Sequence, residues 1–427
     1  MLEWSDTEAL VQRTIREFVD KEIRPQVDAL EHGELAPYEV LRKLFSSFGL
    51  DVAAREATEA SIASQREREA AGAAAEATSD AGASTSSQEK PVKGGLFGPA
   101  GAGQEAMGLI AVTELCRVCP GLVAALGVSL GLAAGTVNAR GTAAQRARWG
   151  AELATLDKIG AWAITEPDSG SDAFGGMQTT VRKQGDGYVL NGQKTFITNG
   201  PFADIVVVYA KLDDGTTDRR RRPVLTFVLD SGMPGFTQSR PLRKMGIHSS
   251  PTGELFFDDV YLEPERLLGS ATAGAEGKDS ARSNFATERV GVAAMALGII
   301  EECLARCVDY ANNRKLWGQP IADFQLVQLK LAKMEVARMN VQNLVYRVVE
   351  TMRAERTSSL AEASAMKLYS SQAATEVALE AVQLFGGNGY MAEYRVEQLA
   401  RDAKSLEIYA GSNEIQVTHI ARGLLAN

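Results

Sequence analysis

Cysteine spacing is the first feature of this 427-residue chain that could do chemistry. The four cysteines form two pairs, Cys116 with Cys119 and Cys303 with Cys307. Two such pairs could hold a tetrahedral zinc ion, and one pair could serve redox chemistry. However, spacings of three and four residues also place small apolar side chains on one face of a helix, and no histidine lies near either pair. The pattern favours buried helical cysteines without a metal, and so few cysteines indicate a reducing compartment.

Charge gives a second candidate, the run of four arginines at 219–222. A charge run is most often a solvated loop, and contact with the phosphates of a ligand is the alternative. The whole chain is acidic, with 45 Lys and Arg against 54 Asp and Glu and a formal charge of −9. Nucleic acids and anionic membranes bind basic surfaces, so neither is expected as the main partner. An acidic small molecule would need a local basic pocket.

Periodicity predicts which elements position these residues. The length indicates two or three domains of about 100 to 200 residues each. Short β-branched stretches such as "ADIVVVYAKL" predict strands, and Asn191-Gly192 is a strong hairpin signal. The predicted class is α+β: a helical domain at 1–154, a β-barrel-like domain at 155–277 and a four-helix bundle at 278–427. The bundle's buried face is predicted from apolar residues that step by three or four, namely Leu329, Ala332, Val336 and Met339.

Two segments depart from this pattern. Residues 52–95 are rich in Ala, Glu and Ser and nearly free of large apolar groups, which predicts a disordered or loosely helical surface insertion. Residues 118–139 carry no charge over 22 positions, about the length of a membrane span. Pro120 and the regularly spaced glycines favour a helix packed inside the helical domain instead. The N-terminus enters a charged amphipathic helix directly, which predicts a cytoplasmic protein.

Five stretches occur in an order and at a spacing that resemble the acyl-CoA dehydrogenase family. The resemblance covers nearly the whole chain outside 52–95, and it includes the domain order. A lone "GGNG" would carry little weight, because it follows no strand of a dinucleotide-binding unit. The stretches are "AWAITEPDSGSDAFGG" (161–176), "NGQKTFITNG" (191–200), "NRKLWGQPIADFQ" (313–325), "QLFGGNGYMAEYRVEQLARDAK" (383–404) and "EIYAGSNEIQ" (407–416).

The resemblance implies FAD as cofactor and assigns residues to it. An isoalloxazine ring needs hydrogen-bond partners at N5 and at its carbonyl edge, together with a flat apolar wall. Small residues such as Gly170 and Ser171 let backbone and hydroxyl groups approach the pyrophosphate closely. The other matching positions near the flavin are Trp162, Ile164, Thr165, Phe196, Thr198, Ser412 and Glu414.

A second group matches positions that, in the family, reach the adenosine half of the FAD bound by a neighbouring subunit. A surface arginine alone is usually a solvated charge. The matches around it give this group its weight, and they imply a homo-oligomer, expected to be a homotetramer. The residues are Arg314, Trp317, Gln383 and Gly387.

The catalytic base is the unusual feature. Family members often carry a glutamate at the position of Ala410, and this chain does not. In the subgroup that includes isovaleryl- and long-chain acyl-CoA dehydrogenases, the glutamate lies at the start of the first bundle helix, and Glu288 matches that position. A helix-surface glutamate before an arginine is common and often has no role. The resemblance implies that Glu288 is the base and that the Ala410 backbone N–H donates to the thioester oxygen.

The implied reaction is the dehydrogenation of an acyl-CoA to its trans-2-enoyl-CoA, with electron-transferring flavoprotein as the electron acceptor. A flavin oxidase or monooxygenase on the same fold, or a non-catalytic family member, are the alternatives. The positions matched to substrate binding are Ser171, Arg289, Tyr409 and Gly411.

Overall fold

The computed structural model describes residues 4–78, 106–269 and 276–426. A helical region, a sheet domain and a helical bundle follow one another, which confirms the α+β class. The helices are α1 (Asp6–Phe18), α2 (Val27–His32), α3 (Pro37–Ser47), α4 (Leu50–Thr78), α5 (Met107–Cys116), α6 (Pro120–Leu126), α7 (Gly135–Arg140), α8 (Ala143–Gln145), α9 (Ala151–Ala154), α10 (Glu276–Asn313), α11 (Gln325–Arg353), α12 (Leu360–Phe385), α13 (Val396–Ser405) and α14 (Asn413–Leu425). The strands are β1 (Gly160–Ala163), β2 (Thr180–Gln184), β3 (Gly187–Thr198), β4 (Ile205–Leu212), β5 (Val224–Asp230), β6 (Phe236–Gln238), β7 (Thr252–Leu262), β8 (Leu267–Leu268), β9 (Lys315–Leu316) and β10 (Gln319–Pro320).

One apolar core joins the N-terminal helices to the C-terminal bundle, with α10 at its centre. All four cysteines are buried, and none forms a disulfide. Their burial supports the helix-face interpretation of the spacing. Across the described ranges, no group of three or more His, Cys, Asp or Glu side chains is placed to hold a metal ion.

The sheet domain has the strand order β6-β7-β3-β2-β4-β5-β8, with β1 added in parallel beside β4. Strand β4 is buried on both faces because Val206, Val208 and Ala210 fill the interior of the domain. The alternate residues Val207 and Tyr209 face a second cluster that includes residues of the N-terminal helices. Because β1 pairs with this doubly buried strand, β1 is held in place, and the chain continues from β1 into the candidate site.

The hairpin predicted at Asn191-Gly192 is wrong. Both residues lie inside β3, and the turn between β2 and β3 falls at 185–186 instead. The pairing of β3 with β7 shifts register between Leu190 and Gly192, and Gly192 has a φ of 139°. A Cβ on Gly192 would lie 2.6 Å from the Thr179 hydroxyl oxygen. The glycine therefore serves a bulge and a close approach rather than a turn.

Of the two alternatives predicted for 52–95, disordered or loosely helical, the helical one holds for the first part, because α4 continues through Thr78. Ala and Glu favour a helix, and tertiary contacts hold this one in place. Ile62 is buried, and Arg55 lies 2.8 Å from Asp157. The backbone N–H of Ala143 donates to Glu69 Oε1 at 3.0 Å. Residues 79–95 lie outside the described residues.

The predicted buried face of α11 is also wrong. Leu329, Ala332, Val336 and Met339 are exposed in the single chain. A different face of α11 is buried, on Met334, Val341, Val345 and Val348. The helical period was therefore identified correctly, but the face that meets this chain's own core was not.

The segment from Pro120 to Arg140 is long and apolar enough to cross a membrane by length and composition alone, with a mean hydropathy of 1.7. In the fold 56% of its most apolar window is buried. Gly160 of β1 packs closely enough that a Cβ there would lie 2.6 Å from the Ala133 side chain. The segment is therefore a core helix that supports β1, in agreement with the prediction.

Candidate active site

Glu288 lies in the first half of α10, 12 residues after the helix begins at Glu276, and is partly buried. Its neighbour Arg289 is buried, and the ammonium of Lys367 on α12 is close enough to act on its charge. Burial raises the pKa of Glu288 to about 7, while the positive charges of Arg289 and Lys367 oppose the shift. A carboxyl group with this pKa exchanges its proton near neutral pH, as a general base should.

The segment between α13 and α14 lies close to Glu288, because Arg289 contacts Ala410 and the charge of Glu288 acts on Tyr409. Ala410 and Gly411 both have left-handed backbone conformations, with φ of 55° and 82°. Their carbonyl groups are held from the bundle side. Arg289 Nε donates to Ala410 O at 3.4 Å, and Gln416 Nε2 donates to Ala410 O at 3.1 Å and to Gly411 O at 2.6 Å. The loop is thereby fixed with its carbonyls directed into the protein.

Lys367 completes this support and was missed by sequence reasoning. Its fully buried Nζ donates to Gly411 O at 2.9 Å and to Asn413 Oδ1 at 2.9 Å. Burial and the positive charge of Arg289 lower the pKa of Lys367 to about 8. The available signal was the spacing of Ser364, Lys367 and Ser371, which places three polar side chains on one face of α12. Arg289 Nη1 donates to Ser364 Oγ at 3.0 Å on the same stripe.

Within the described part of the chain, the backbone N–H of Ala410 has no hydrogen-bond partner. This N–H is therefore a donor that the loop leaves available to a ligand. Tyr409 packs beside it, with its hydroxyl 3.3 Å from Met295 Sδ. Burial, with the nearby Cys116 and Glu288, raises the pKa of Tyr409 well above its usual range. Tyr409 therefore stays protonated and lines the site.

An aromatic contact joins α10 to the sheet domain. The ring of Trp162 on β1 lies edge-on to Tyr209 at 5.1 Å and to Phe285 at 6.3 Å. Phe285 comes one helical turn before Glu288 on α10. This contact brings the turn of α10 that precedes Glu288 against β1.

The stretch that follows β1 offers free donors. Thr165 O accepts from Thr195 N at 3.0 Å, whereas the N–H and hydroxyl of Thr165 have no partner among the residues that the structure describes. Ile164 is buried, and its carbonyl accepts from Lys194 Nζ at 3.1 Å. Phe196, which follows Thr195 in the chain, is 67% exposed and has a φ of 57°. Two donors beside an exposed flat side chain fit the edge and face of an isoalloxazine ring.

The remaining residues matched to the near half of FAD are accessible. Gly170 and Ser171 are exposed, and a Cβ on Gly170 would meet nothing within 4 Å. Ser412 is the N-cap of α14, yet its side chain makes no capping hydrogen bond in the described structure, and Glu414 is exposed. Thr198 pairs with Thr252 across the strands and is half-buried. These positions leave room for a phosphate near small residues and a helix N-terminus.

The four residues matched to adenosine lie elsewhere. The ring of Tyr310 stacks on Phe385 at 4.0 Å, which brings the end of α10 to the end of α12. Arg314, Trp317, Gln383 and Gly387 are all exposed there, and Trp317 is 88% exposed. From Glu288 to the end of α10 is 25 residues, or about 38 Å of helix. This group therefore lies at the C-terminal end of α10, far along the helix from Glu288.

Comparison with known proteins supplies the family. Sequence profiles for the N-terminal, middle and C-terminal domains of acyl-CoA dehydrogenases match residues 95–157, 161–260 and 275–425. An acyl-CoA dehydrogenase from Bacillus subtilis is 33% identical and aligns over 98% of each chain. The chain belongs to the acyl-CoA dehydrogenase family.

Solved structures of acyl-CoA dehydrogenases agree with this assignment. The butyryl-CoA dehydrogenase of Megasphaera elsdenii superposes with a TM-score of 0.80 at 31% identity, over 100% of both chains. A glutaryl-CoA dehydrogenase of Mycobacterium smegmatis in complex with FADH2 gives a TM-score of 0.81 at 27% identity, over 99% of this chain and 96% of the other. The protein is an oxidoreductase and a flavoprotein whose cofactor is FAD. Thr165, Phe196 and the Gly170-Ser171 turn fit that cofactor.

Proposed function

We propose that the protein removes the α proton and a β hydride from an acyl-CoA to give the trans-2-enoyl-CoA, with Glu288 as the base. The observation that carries the proposal is the place of Glu288 in the fold, next to the Arg289 that contacts the Ala410 carbonyl, where burial raises the pKa of Glu288 to about 7. FAD, when bound, accepts the hydride at N5. The proposed electron acceptor for the reduced enzyme is electron-transferring flavoprotein.

The proton step follows from the residues around the loop. An unperturbed glutamate has a pKa of about 4.3 and is a weak base for a carbon acid. Burial of Glu288 strengthens it, and exclusion of water on substrate binding strengthens it further. The Ala410 N–H would donate to the thioester oxygen, which stabilises the enolate as the α proton moves to the Glu288 carboxylate. Ala410 then supplies a backbone donor where other family members supply the base.

A panel of acyl-CoA thioesters tests this function. Anaerobic addition of butyryl-, isovaleryl-, glutaryl- and palmitoyl-CoA to the purified holoenzyme is expected to bleach the flavin with at least one of them and to yield the enoyl-CoA by mass spectrometry. Because the relatives include butyryl- and glutaryl-CoA dehydrogenases, the short thioesters are tested first. No bleaching with any thioester would contradict the proposal. Rapid reoxidation of the bleached enzyme by O₂ would favour the oxidase alternative.

We also propose that the protein acts as a homo-oligomer, as a tetramer, because one chain leaves two kinds of surface uncovered. The Arg314 group lies about 38 Å of helix away from Glu288, too far to serve the same end of one FAD. On α11 the exposed apolar residues Leu326, Leu329, Val336 and Met339 form a face typical of a subunit interface. A second copy would cover that face and place its Arg314 at this chain's cofactor.

Arg314→Ala is expected to weaken FAD retention because the guanidinium makes no hydrogen bond or ion pair in the described part of this chain and is available to a neighbour's adenosine diphosphate. Loss of a charged hydrogen bond should raise the FAD dissociation constant roughly tenfold. The measurement is the flavin-to-protein ratio after gel filtration, together with the molecular mass. Arg13→Ala, another exposed arginine, is the control. A monomer with one FAD per chain at full occupancy would contradict the proposal.

A further inference from the structure

The arginine run at 219–222 is built against the segment that carries Ser171. Arg220 Nη2 lies 2.8 Å from Asp172 Oδ2, and Arg219 Nη1 donates to Gln178 Oε1. Beneath the same segment, the buried Lys211 donates from Nζ to Gly175 O at 3.0 Å. Three cations therefore contact residues 172–178, two from outside and one from within.

The arginine turn is held in one shape by its own neighbours. Asp218 Oδ1 accepts from the backbone N–H of Arg220 at 3.0 Å. Arg222 lies 2.8 Å from Asp213 and is mostly buried. These contacts leave the other side chains directed outward, so that Arg220 is 69% exposed and Arg221 is 83% exposed at the side chain. The run is a structured turn with its guanidinium groups presented to solvent.

The other side of the 171–178 segment reaches the candidate site. Ala173 and Phe174 pack on the apolar cluster that contains Trp162, and Phe285 packs on the same cluster one helical turn before Glu288. The segment is thus apolar toward the site and charged toward the arginine turn. A ligand that extends from Glu288 past Ser171 to the surface would meet the arginines with its far end.

We propose that Arg219, Arg220 and Arg221 bind the phosphate groups of the CoA nucleotide, which rests on the proposed function of the site. A CoA thioester reacts at one end and carries its phosphates at the other, separated by the uncharged pantetheine arm. Guanidinium groups bind phosphate through paired hydrogen bonds, and a phosphate dianion competes well with an exposed carboxylate or a neutral amide. Exposed Arg–Asp pairs such as Arg220 with Asp172 are weak, so they yield to it. The chain's net charge of −9 makes such a local cluster necessary for this ligand.

The test compares ligands that share the pantetheine arm and differ in phosphate. Titration calorimetry of the holoenzyme with CoA and with pantetheine is carried out on the wild type and on Arg219→Ala/Arg221→Ala, which keeps the Arg220–Asp172 pair and Arg222. The CoA dissociation constant is expected to rise roughly tenfold or more in the variant, with pantetheine unchanged. The control is Arg66→Ala/Arg68→Ala, two exposed arginines on α4, which removes the same charge and should bind CoA like the wild type.

Free CoA needs no chemistry to bind, so this experiment stands apart from the acyl-CoA panel. A holoenzyme that loses CoA affinity in the variant but reduces its flavin with no thioester would retain this site and lose the proposed function. The site would be overturned if the variant bound CoA as the wild type does, or if pantetheine binding fell equally. The same titration is carried out with an acyl carrier protein, which also presents a phosphopantetheine arm. If the variant lost affinity for the carrier protein but bound CoA like the wild type, the site would also be overturned, because the arginines would then bind an acidic protein surface.

Discussion

Glu288→Gln is expected to keep FAD and to bind acyl-CoA, while its rate of flavin reduction falls about 10²–10⁴-fold. The amide is nearly isosteric with the carboxyl group but cannot accept a proton. The measurement is stopped-flow reduction of the flavin under anaerobic conditions, with the spectral shift on substrate addition as the sign of binding. Reduction at the wild-type rate would refute Glu288 as base and favour the oxidase or non-catalytic alternatives.

A matched control comes from the same helix. Glu301 on α10 is another carboxyl group whose pKa is raised, chiefly by burial and also by the nearby Glu114. It lies 13 residues, or about 20 Å of helix, beyond Glu288. Glu301→Gln should therefore reduce its flavin at the wild-type rate. A loss in both variants would indicate a general effect of neutralising α10 and not the removal of a base.

The pH dependence follows from the same pKa. The carboxylate form of Glu288 is the active one, so kcat/KM of the wild type should rise with pH through about 7.

The contribution of Glu288 to folding stability should instead fall as the pH rises. The pKa is raised in the folded state from 4.5, so the folded protein holds its proton longer than the unfolded chain, and this contribution to stability is lost as pH rises toward about 7. Thermal unfolding above that pH should therefore show Glu288→Gln to be no less stable than the wild type.

The sequence predicted the three regions because each has a strong period of its own. Strands such as β4 are β-branched over their whole length, and the bundle helices are long, so local pattern was sufficient. Where a contact with distant residues decides the structure, local pattern failed. Gly192 forms a bulge because Thr179 packs against it, and α4 is ordered partly by Asp157 and Ala143. Neither contact is visible from the neighbouring sequence.

The candidate site was predicted unevenly for a related reason. Glu288 and Ala410 were found from motifs, but their support was not, because it comes from side chains on two other helices. Lys367 on α12 and Gln416 on α14 hold the Ala410 and Gly411 carbonyls, and only a fold shows that they converge. The prediction of the buried face of α11 failed for a different reason. An apolar stripe predicts burial, but it cannot distinguish burial in the same chain from burial against a second copy.

The relocation of the base can be reversed by mutation. Glu288→Gly alone should be nearly inactive, and Glu288→Gly combined with Ala410→Glu is expected to recover part of the rate. Ala410 already carries a Cβ at a φ of 55°, so a glutamate there adds no new backbone strain, and the carbonyl contacts from Arg289 and Gln416 remain. Misplacement of the carboxylate by about 1 Å could still cost roughly a hundredfold against the wild type.

The decisive comparison is with Glu288→Gly/Ala410→Gln, which has a side chain of the same size and no base. Stopped-flow reduction should be faster with glutamate than with glutamine at position 410, and the difference should grow as the glutamate is deprotonated. If both double variants bind FAD and acyl-CoA and are equally inactive, then positions 288 and 410 do not face the same α carbon. In that case the loop would remain only a source of the Ala410 N–H. Recovery would show instead that the catalytic geometry is set by the thioester held at that N–H, and that the base can approach its α carbon from either element.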